Sequence, residues 1–167
     1  ACFPTRRVTA AAGRPGQKYQ RYALTASGVS PMAIPGTPNC QYTADGLEHN
    51  EAAAPSSLAT DHLHQLDKRE RKLSLYDYGS HWADVEGEGE LALVTWGSCT
   101  GAAREAARRW AALGRQLRLV SLRLLSPVQP DKLRAALAGV RRALIVEQTH
   151  SRQFLHFLTG HCGGPPG

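Results

Sequence analysis

The feature that most narrows what this chain can fold into is the alternation of apolar runs and helical patterns across residues 90–148. Residues 90–97, Glu-Leu-Ala-Leu-Val-Thr-Trp-Gly, read as a buried strand that stops at a glycine. From Ser98 to Leu113 the periodicity becomes helical. Ala103, Ala107 and Trp110 follow i, i+4, i+7 with Ala106 and Leu113 beside them, while Arg104, Glu105, Arg108 and Arg109 fill the opposite face. Gly114 is placed to end that helix. Residues 116–125 are strand-like again. Pro130 and Asp131 signal a second helix over 131–138, with Leu133, Leu137 and Val140 as its stripe. Residues 143–147 form a third short apolar run, and Phe154, Leu155 and Leu158 mark a last helix. Strands joined through helices need crossover connections, so the order predicts an α/β domain over 90–160 with a parallel sheet covered on both faces. Residues 161–167, rich in glycine and proline, read as a frayed, flexible tail.

The chain ahead of this domain has a different texture. Residues 1–57 hold Pro4, Pro15, Pro31, Pro35, Pro38 and Pro55 and show little periodicity. Proline fixes φ and biases its predecessor towards extended geometry, so this stretch reads as an ordered loop extension rather than a helix. Residues 21–25 read as a short strand within it. Tyr19, Tyr22, Leu24, Val29, Ile34 and Tyr42 are the expected anchors, and a loop this long in a compact domain is usually functional or packed on a partner. Residues 58–89 then read as a connecting helix over 60–75 and a linker. Thr60 or Asp61 is the expected cap, and Leu63, Leu66 and Leu73 the stripe that lies on a larger body.

Composition adds limits. A hydrophobic fraction of 42% suffices for a core, and 20 Lys and Arg against 14 acids leave a net charge of +6. The excess is mainly arginine beside alanine, as on solvated helix faces. Cys2, Cys40, Cys99 and Cys162 stand far apart with no Cys-x-x-Cys, so no metal or cluster set is expected and a reduced, cytoplasmic setting is. No run approaches the length of a membrane span, and no signal peptide opens the chain. The one methionine is Met32 and residue 1 is alanine, so further chain is expected ahead of Ala1.

Two segments carry candidate chemistry. Gly97, Ser98, Cys99, Thr100 and Gly101 join the first strand to the first helix. Open α/β sheets bind ligands at the carboxyl ends of their strands, and a helix N-terminus offers free N–H groups to an anion, so Gly97, Ser98, Thr100 and Gly101 are the candidate ligand turn. The turn is neither G-x-G-x-x-G nor a P-loop, and its serine is misplaced for a nucleophile elbow. Its plain structural role is an N-cap at Ser98. The second segment is Glu48, His49, Asn50 and Glu51. His-x-Glu has the look of a zinc deaminase signature but lacks the downstream Pro-Cys-x-x-Cys, so Glu48, His49 and Glu51 are expected to organise a loop rather than hold a metal. His62 and His64, two apart on a helix, diverge. Glu147 ends the third strand at the same edge as Gly97, where it would orient a ligand or bond to nearby backbone. Arg6, Arg7, Arg14, Lys18 and Arg21, interleaved with Tyr19 and Tyr22, are a weak nucleic-acid pattern that no known module accompanies.

An ordered set of segments resembles one family. Residues 22–36 (YALTASGVSPMAIPG), 45–51 (DGLEHNE), 67–73 (DKRERKL), 96–106 (WGSCTGAAREA), 122–127 (LRLLSP) and 146–148 (VEQ) are similar, in this order, to the alpha subunits of 2-oxoacid:ferredoxin oxidoreductases, especially the 2-oxoglutarate type. The last three segments resemble its transketolase C-terminal-like domain. The resemblance implies a thiamine diphosphate enzyme that oxidatively decarboxylates a 2-oxo acid, passes electrons through an iron–sulfur cluster to ferredoxin and transfers the acyl group to coenzyme A. It further implies a beta subunit carrying the thiamine diphosphate, Mg²⁺ and cluster, and a thiamine pyrimidine domain ahead of Ala1. This chain then looks like the C-terminal part of the alpha subunit, serving mainly assembly, with no catalytic residue of its own and no cofactor bound alone. The rivals are the C-terminal domain of a transketolase or 2-oxoacid dehydrogenase beta subunit, and a stand-alone basic module taking an anion at Gly97–Gly101.

Overall fold

A computed structural model describes residues 10–166, and the chain divides into two compact units, Ala1–Tyr76 and Asp77–Gly167. In chain order the elements are α1 (Ala59–Ser74), β1 (Ala83–Glu86), β2 (Leu91–Trp96), α2 (Cys99–Ala112), β3 (Arg118–Leu122), α3 (Pro130–Ala136), β4 (Arg142–Val146) and α4 (Gln153–Cys162). Among the described residues no helix is long and apolar enough to cross a membrane.

The second unit is a four-stranded sheet in the order β1-β3-β2-β4. The α/β expectation holds: β3, β2 and β4 are parallel, with Val94 opposite Val120 and Ile145. Both faces of the central strands are covered, which is why their sequence is a continuous apolar run rather than an alternation. On one face Ala92, Val94, Val120 and Leu122 pack with Leu133, Leu137 and Val140 and with Phe154 and Leu158 of α4. On the other, Leu93 and Leu119 meet Ala103 of α2, whose small side chain brings that helix close to the sheet. Thr95 and Ser121 are buried on this second face. Thr95 donates to Val146 O at 2.8 Å, and Ser121 shares a 2.7 Å hydrogen bond with Thr100, so neither hydroxyl is left unpaired.

Three features of this unit differ from the sequence expectation. Residues 83–86, placed in a linker, form β1, which lies antiparallel on the outer edge of β3 with Val85 opposite Val120. Four residues with two acids give too short an alternation to read, and only the free edge of β3 selects them as a strand. Trp82, just before β1, is buried, and its carbonyl accepts from Arg123 N and Leu124 N at 2.9 and 3.0 Å. The tail is also tied down further than its composition suggests. α4 runs to Cys162, and Pro166 O accepts from Ala143 N at 3.0 Å, filling a position on the free edge of β4. Finally, Trp110, expected in the stripe of α2, stacks with Arg115 at the end of the helix, 4.7 Å from the guanidinium to the indole centroid.

The first unit is an ordered but irregular loop packed on α1. Its backbone pairing among described residues is limited to isolated bridges at Ala10–Met32 and His49–Pro55. The expected strand at 21–25 is absent. Tyr22 N donates to Glu51 O at 3.1 Å and Leu24 N to the Glu51 carboxylate at 2.8 Å, so this segment is held by a loop rather than by a ladder. Tyr19 anchors the prolines as expected: its hydroxyl donates to Pro31 O at 2.8 Å and accepts from Ala33 N at 3.0 Å. Ile34, expected to be an anchor, is 69% exposed. Gly28 packs on the helix backbone at φ +74°; a Cβ there would lie 2.5 Å from Lys68 O, so any side chain would push the loop off α1.

α1 presents the opposite face from the one its apolar pattern predicts. Leu63, Leu66 and Leu73 are 57%, 44% and 47% exposed, whereas Gln65 and Lys68 are buried under the loop. The reason is chemical. The loop offers α1 backbone carbonyls instead of apolar side chains, and only donors satisfy them: Gln65 Nε2 and Lys68 Nζ both bond Tyr22 O, at 3.1 and 2.7 Å. The cap differs too. Leu58 is the N-cap and makes no side-chain cap bond; Ser56 Oγ instead donates to Asp61 at 2.6 Å and accepts from Leu58 N at 3.3 Å.

Candidate functional site

The candidate turn lies where the α/β rule puts it. β2 ends at Trp96, Gly97 turns the chain at φ +59°, and α2 begins at Cys99. Gly97 and Thr100 line a pocket of about 610 Å³ at the carboxyl ends of β2 and β3, together with Trp96, Asp84, Arg123 and Ser126. Ser98 and Gly101 are exposed, adjoining this lining. Trp96 leans on Phe154 of α4, 6.1 Å between ring centroids, and with Leu122, Leu124 and Leu125 gives the pocket its apolar lining.

Ser98 is not a cap. It sits at φ −65°, ψ −23°, already helical, and makes no side-chain hydrogen bond to α2. A cap needs extended geometry for its oxygen to reach back to the N2 or N3 amide. Ser98→Ala is therefore expected to change stability by less than about 0.5 kcal/mol, read as an unshifted thermal melt. Thr100, by contrast, is spent on Ser121 inside the helix–sheet seam.

The electrostatics of this pocket are balanced rather than basic. Asp84 lies 3.5 Å from both Arg104 and Arg123, and Arg104 also contacts Glu86 at 2.6 Å. The hydrogen bond from Arg104 holds the Glu86 carboxyl below the usual carboxylate range, against the small opposing effect of burial. Two acids and two arginines leave no net charge at the pocket mouth. That argues against an independent receptor for an anion at Gly97–Gly101. Asp84 and Arg123 had no signal in the sequence, since each reaches the pocket through the pairing of β1 and β3, whereas Trp96 adjoins the turn at the end of β2.

Glu147 belongs to the fold. Its carboxylate accepts from Phe154 N and Leu155 N at 3.0 Å each and from the Thr149 hydroxyl, which caps α4 from outside the helix. Burial raises its pKa, but the Thr149 and backbone donors and the nearby His156 outweigh that, and the carboxyl sits below its ordinary range.

The second candidate segment, Glu48 to Glu51, makes many contacts with the loop and with α1. Arg69 grips the Glu48 carboxylate with both terminal nitrogens, at 3.3 and 2.9 Å, and His62 Nδ1 lies 2.9 Å from the same group. The Arg69 hydrogen bonds, with smaller help from His62 and His49 N, hold the Glu48 pKa at about 2 although partial burial opposes them. His49 is buried against Tyr22, 5.1 Å between rings, with Nε2 3.0 Å from Asp45 but out of line for a hydrogen bond. Asn50 Oδ1 accepts from Ala52 N and Ala54 N at 3.1 Å, and Glu51 holds Leu24. The Glu48 and Glu51 carboxylates and the Asn50 side-chain oxygen are thus committed to loop or helix, while His49 Nε2 has no hydrogen-bond partner. Among the described residues no three His, Cys, Asp or Glu side chains converge in a way that could hold a metal. Of the basic stretch, Arg6 and Arg7 lie outside the described residues, while Tyr19 and Tyr22 each pack edge to face with Tyr42 rather than forming a parallel platform for stacked bases.

A loop-rich unit followed by an α/β unit of this topology defines the class of the second unit: residues 80–153 match the transketolase C-terminal domain family. The match to known proteins extends into the first unit. The chain is 29% identical over 154 residues to the alpha subunit of a 2-oxoacid:ferredoxin oxidoreductase from Saccharolobus solfataricus, covering 89% of this chain and 24% of that protein. It is 33% identical over 121 residues to the 2-oxoglutarate oxidoreductase subunit KorA of Mycobacterium tuberculosis, covering 68% of this chain and 18% of KorA. Among solved structures, the 2-oxoglutarate:ferredoxin oxidoreductase of Magnetococcus marinus, determined with 2-oxoglutarate, coenzyme A and succinyl-CoA bound, superposes with a TM-score of 0.70 at 34% identity, over 93% of this chain and 28% of that one. Over most of its length the chain is thus similar to the alpha subunits of the 2-oxoacid:ferredoxin oxidoreductases, and it spans 18–24% of the length of these curated relatives.

Proposed function

We propose that this chain is the C-terminal part of the alpha subunit of a thiamine diphosphate-dependent 2-oxoacid:ferredoxin oxidoreductase, of the 2-oxoglutarate type, and that its work is assembly. The observation that carries this reading is the extent of the likeness. It includes the irregular first unit as well as the α/β unit, with 93% of the chain matched at 34% identity. A transketolase or dehydrogenase beta subunit would share only the second unit, and the charge balance around Asp84 and Arg123 removes the motive for a stand-alone anion-binding module.

In this reading the reaction is oxidative decarboxylation of a 2-oxo acid to acyl-coenzyme A in the cytoplasm, with electrons leaving through an iron–sulfur cluster to ferredoxin. The described residues do not fit a cluster or Mg²⁺: Cys40, Cys99 and Cys162 are separate free thiols and no acidic set converges. Those groups, with thiamine diphosphate, belong to a beta subunit in this proposal, and no chemical step runs through residues of this chain. Its own residues position surfaces. Glu48, His49 and Glu51 hold the proline-rich loop of residues 10–57 in a docking conformation, and Gly97, Ser98, Thr100 and Gly101 form the turn that meets a ligand of the assembled enzyme.

The test is co-expression with the beta subunit from the same source, followed by size exclusion. Co-elution with a brown, thiamine-bearing subunit is expected, together with no 2-oxo acid-dependent viologen reduction by this chain alone. Separate elution of the two chains, or turnover by this chain alone, would sink the proposal.

A further inference from the structure

We propose that Arg21 and Lys68 form a receptor for a carboxylate that this chain does not itself supply. Lys68 is 5% exposed, and its ammonium bonds only neutral acceptors, Tyr22 O at 2.7 Å and Ser30 Oγ at 3.0 Å. Arg21 lies over the same tyrosine, its guanidinium carbon 5.3 Å from the Tyr22 centroid and 5.8 Å from that of Tyr42. Its Nε is enclosed without a hydrogen-bond partner. Lys68 Nζ is 5.7 Å from the Tyr22 ring, so two cations share one aromatic side chain.

Among the described residues neither cation has a carboxylate within ion-pair distance. The acids of the loop are engaged elsewhere: Glu48 by Arg69 and His62, Asp45 by Leu47 N, Glu51 by Leu24 N and Asp61 by Ser56. Residues 1–9 contain no Asp or Glu. Burial and the neighbouring Arg21, Arg69 and Lys72 push the Lys68 pKa down to about 8, and Glu51 opposes this only in part.

The fold does not need the ammonium. Without it Tyr22 O would still accept from Gln65 Nε2 at 3.1 Å, and Ser30 Oγ would still donate to Ala23 O at 2.8 Å. A buried cation that is redundant for hydrogen bonding and lacks a counter-charge is a net cost to the free chain. A carboxylate against the open side of Arg21, within reach of the remaining Lys68 N–H, would remove that cost and form charge-assisted hydrogen bonds to both groups. The carboxylate has two possible sources, a small dicarboxylate or an acidic side chain of the beta subunit.

The experiment uses the 167-residue chain with the variants Lys68→Met and Arg21→Gln. In chloride buffer Lys68→Met should melt no lower than wild type. Glutarate, added at constant ionic strength, should raise the wild-type melting temperature saturably by roughly 3–5 °C at tens of millimolar, and both variants should lose that rise, which identifies a free dicarboxylate. If glutarate has no effect but Arg21→Gln weakens co-elution with the beta subunit about tenfold, the carboxylate is the partner's. The receptor is overturned if neither glutarate stabilisation nor beta-subunit binding depends on the two cations. This second arm rests on the assembly proposal: a wild-type chain that never binds the beta subunit defeats that proposal, and the glutarate arm alone then decides the receptor.

Discussion

Leu158→Ala is expected to remove about 3 kcal/mol of stability from the second unit and lower its melting temperature by roughly 10 °C. Leu158 is 1% exposed and packs from α4 into the cluster that includes Val94 and Val120 of the central strands and Leu133 and Leu137 of the α3 region. Truncation removes three carbons from a place where sheet, α3 and α4 converge. None of these can shift to fill the space without breaking its own packing, so the cavity cost adds to the lost transfer energy. The measurement is thermal or urea unfolding followed by circular dichroism. A loss below about 1 kcal/mol would mean that α4 does not close this core.

Glu48→Gln is expected to show the second-largest effect and to reveal itself through pH. The carboxylate holds Arg69 with two hydrogen bonds and His62 with a third contact, and all three groups lie in the first unit. Its folded pKa is about 2, below the ordinary 4.5. A carboxyl depressed in the folded state contributes stability that is fully present above the ordinary value and is lost as the pH falls through the folded one. Because Arg69 is about half exposed, the contribution is discounted to about 1–2 kcal/mol. Glu48→Gln should therefore melt below wild type at pH 6, and the gap should close progressively between about pH 4.5 and 2. A gap that does not change with pH would show that the segment acts through packing and not through charge.

These two residues differ in how readily the sequence disclosed them. Leu158 sits in a helical repeat with Phe154, and its burial follows from local periodicity. Glu48 stood out as an acid beside His49, but its partners were not readable: Arg69 is 21 residues away and His62 14. The same division runs through the candidate pocket. Gly97 and Thr100 were visible because a strand-to-helix turn is a contiguous segment. Asp84 and Arg123 became part of the pocket only when β1 and β3 paired beside β2.

What the sequence determined by itself is the α/β alternation, from strand β2 through α4, together with the stripe of α3, the inward Ala103 of α2 and the stop at Gly114, although Ala106 and Leu113, expected beside the α2 stripe, are exposed. These follow from the spacing of apolar residues along a few turns or a few residues, and burial rewards that spacing whatever the neighbours are. What only tertiary structure decided is which surface each element meets. β1 became a strand because β3 had an open edge. Glu147 became a cap because α4 starts beside its carboxylate. α1 buried Gln65 and Lys68 and left its leucines outside, because the loop packed on it offers carbonyl oxygens, and a buried carbonyl must find a donor before any methyl group can gain from contact.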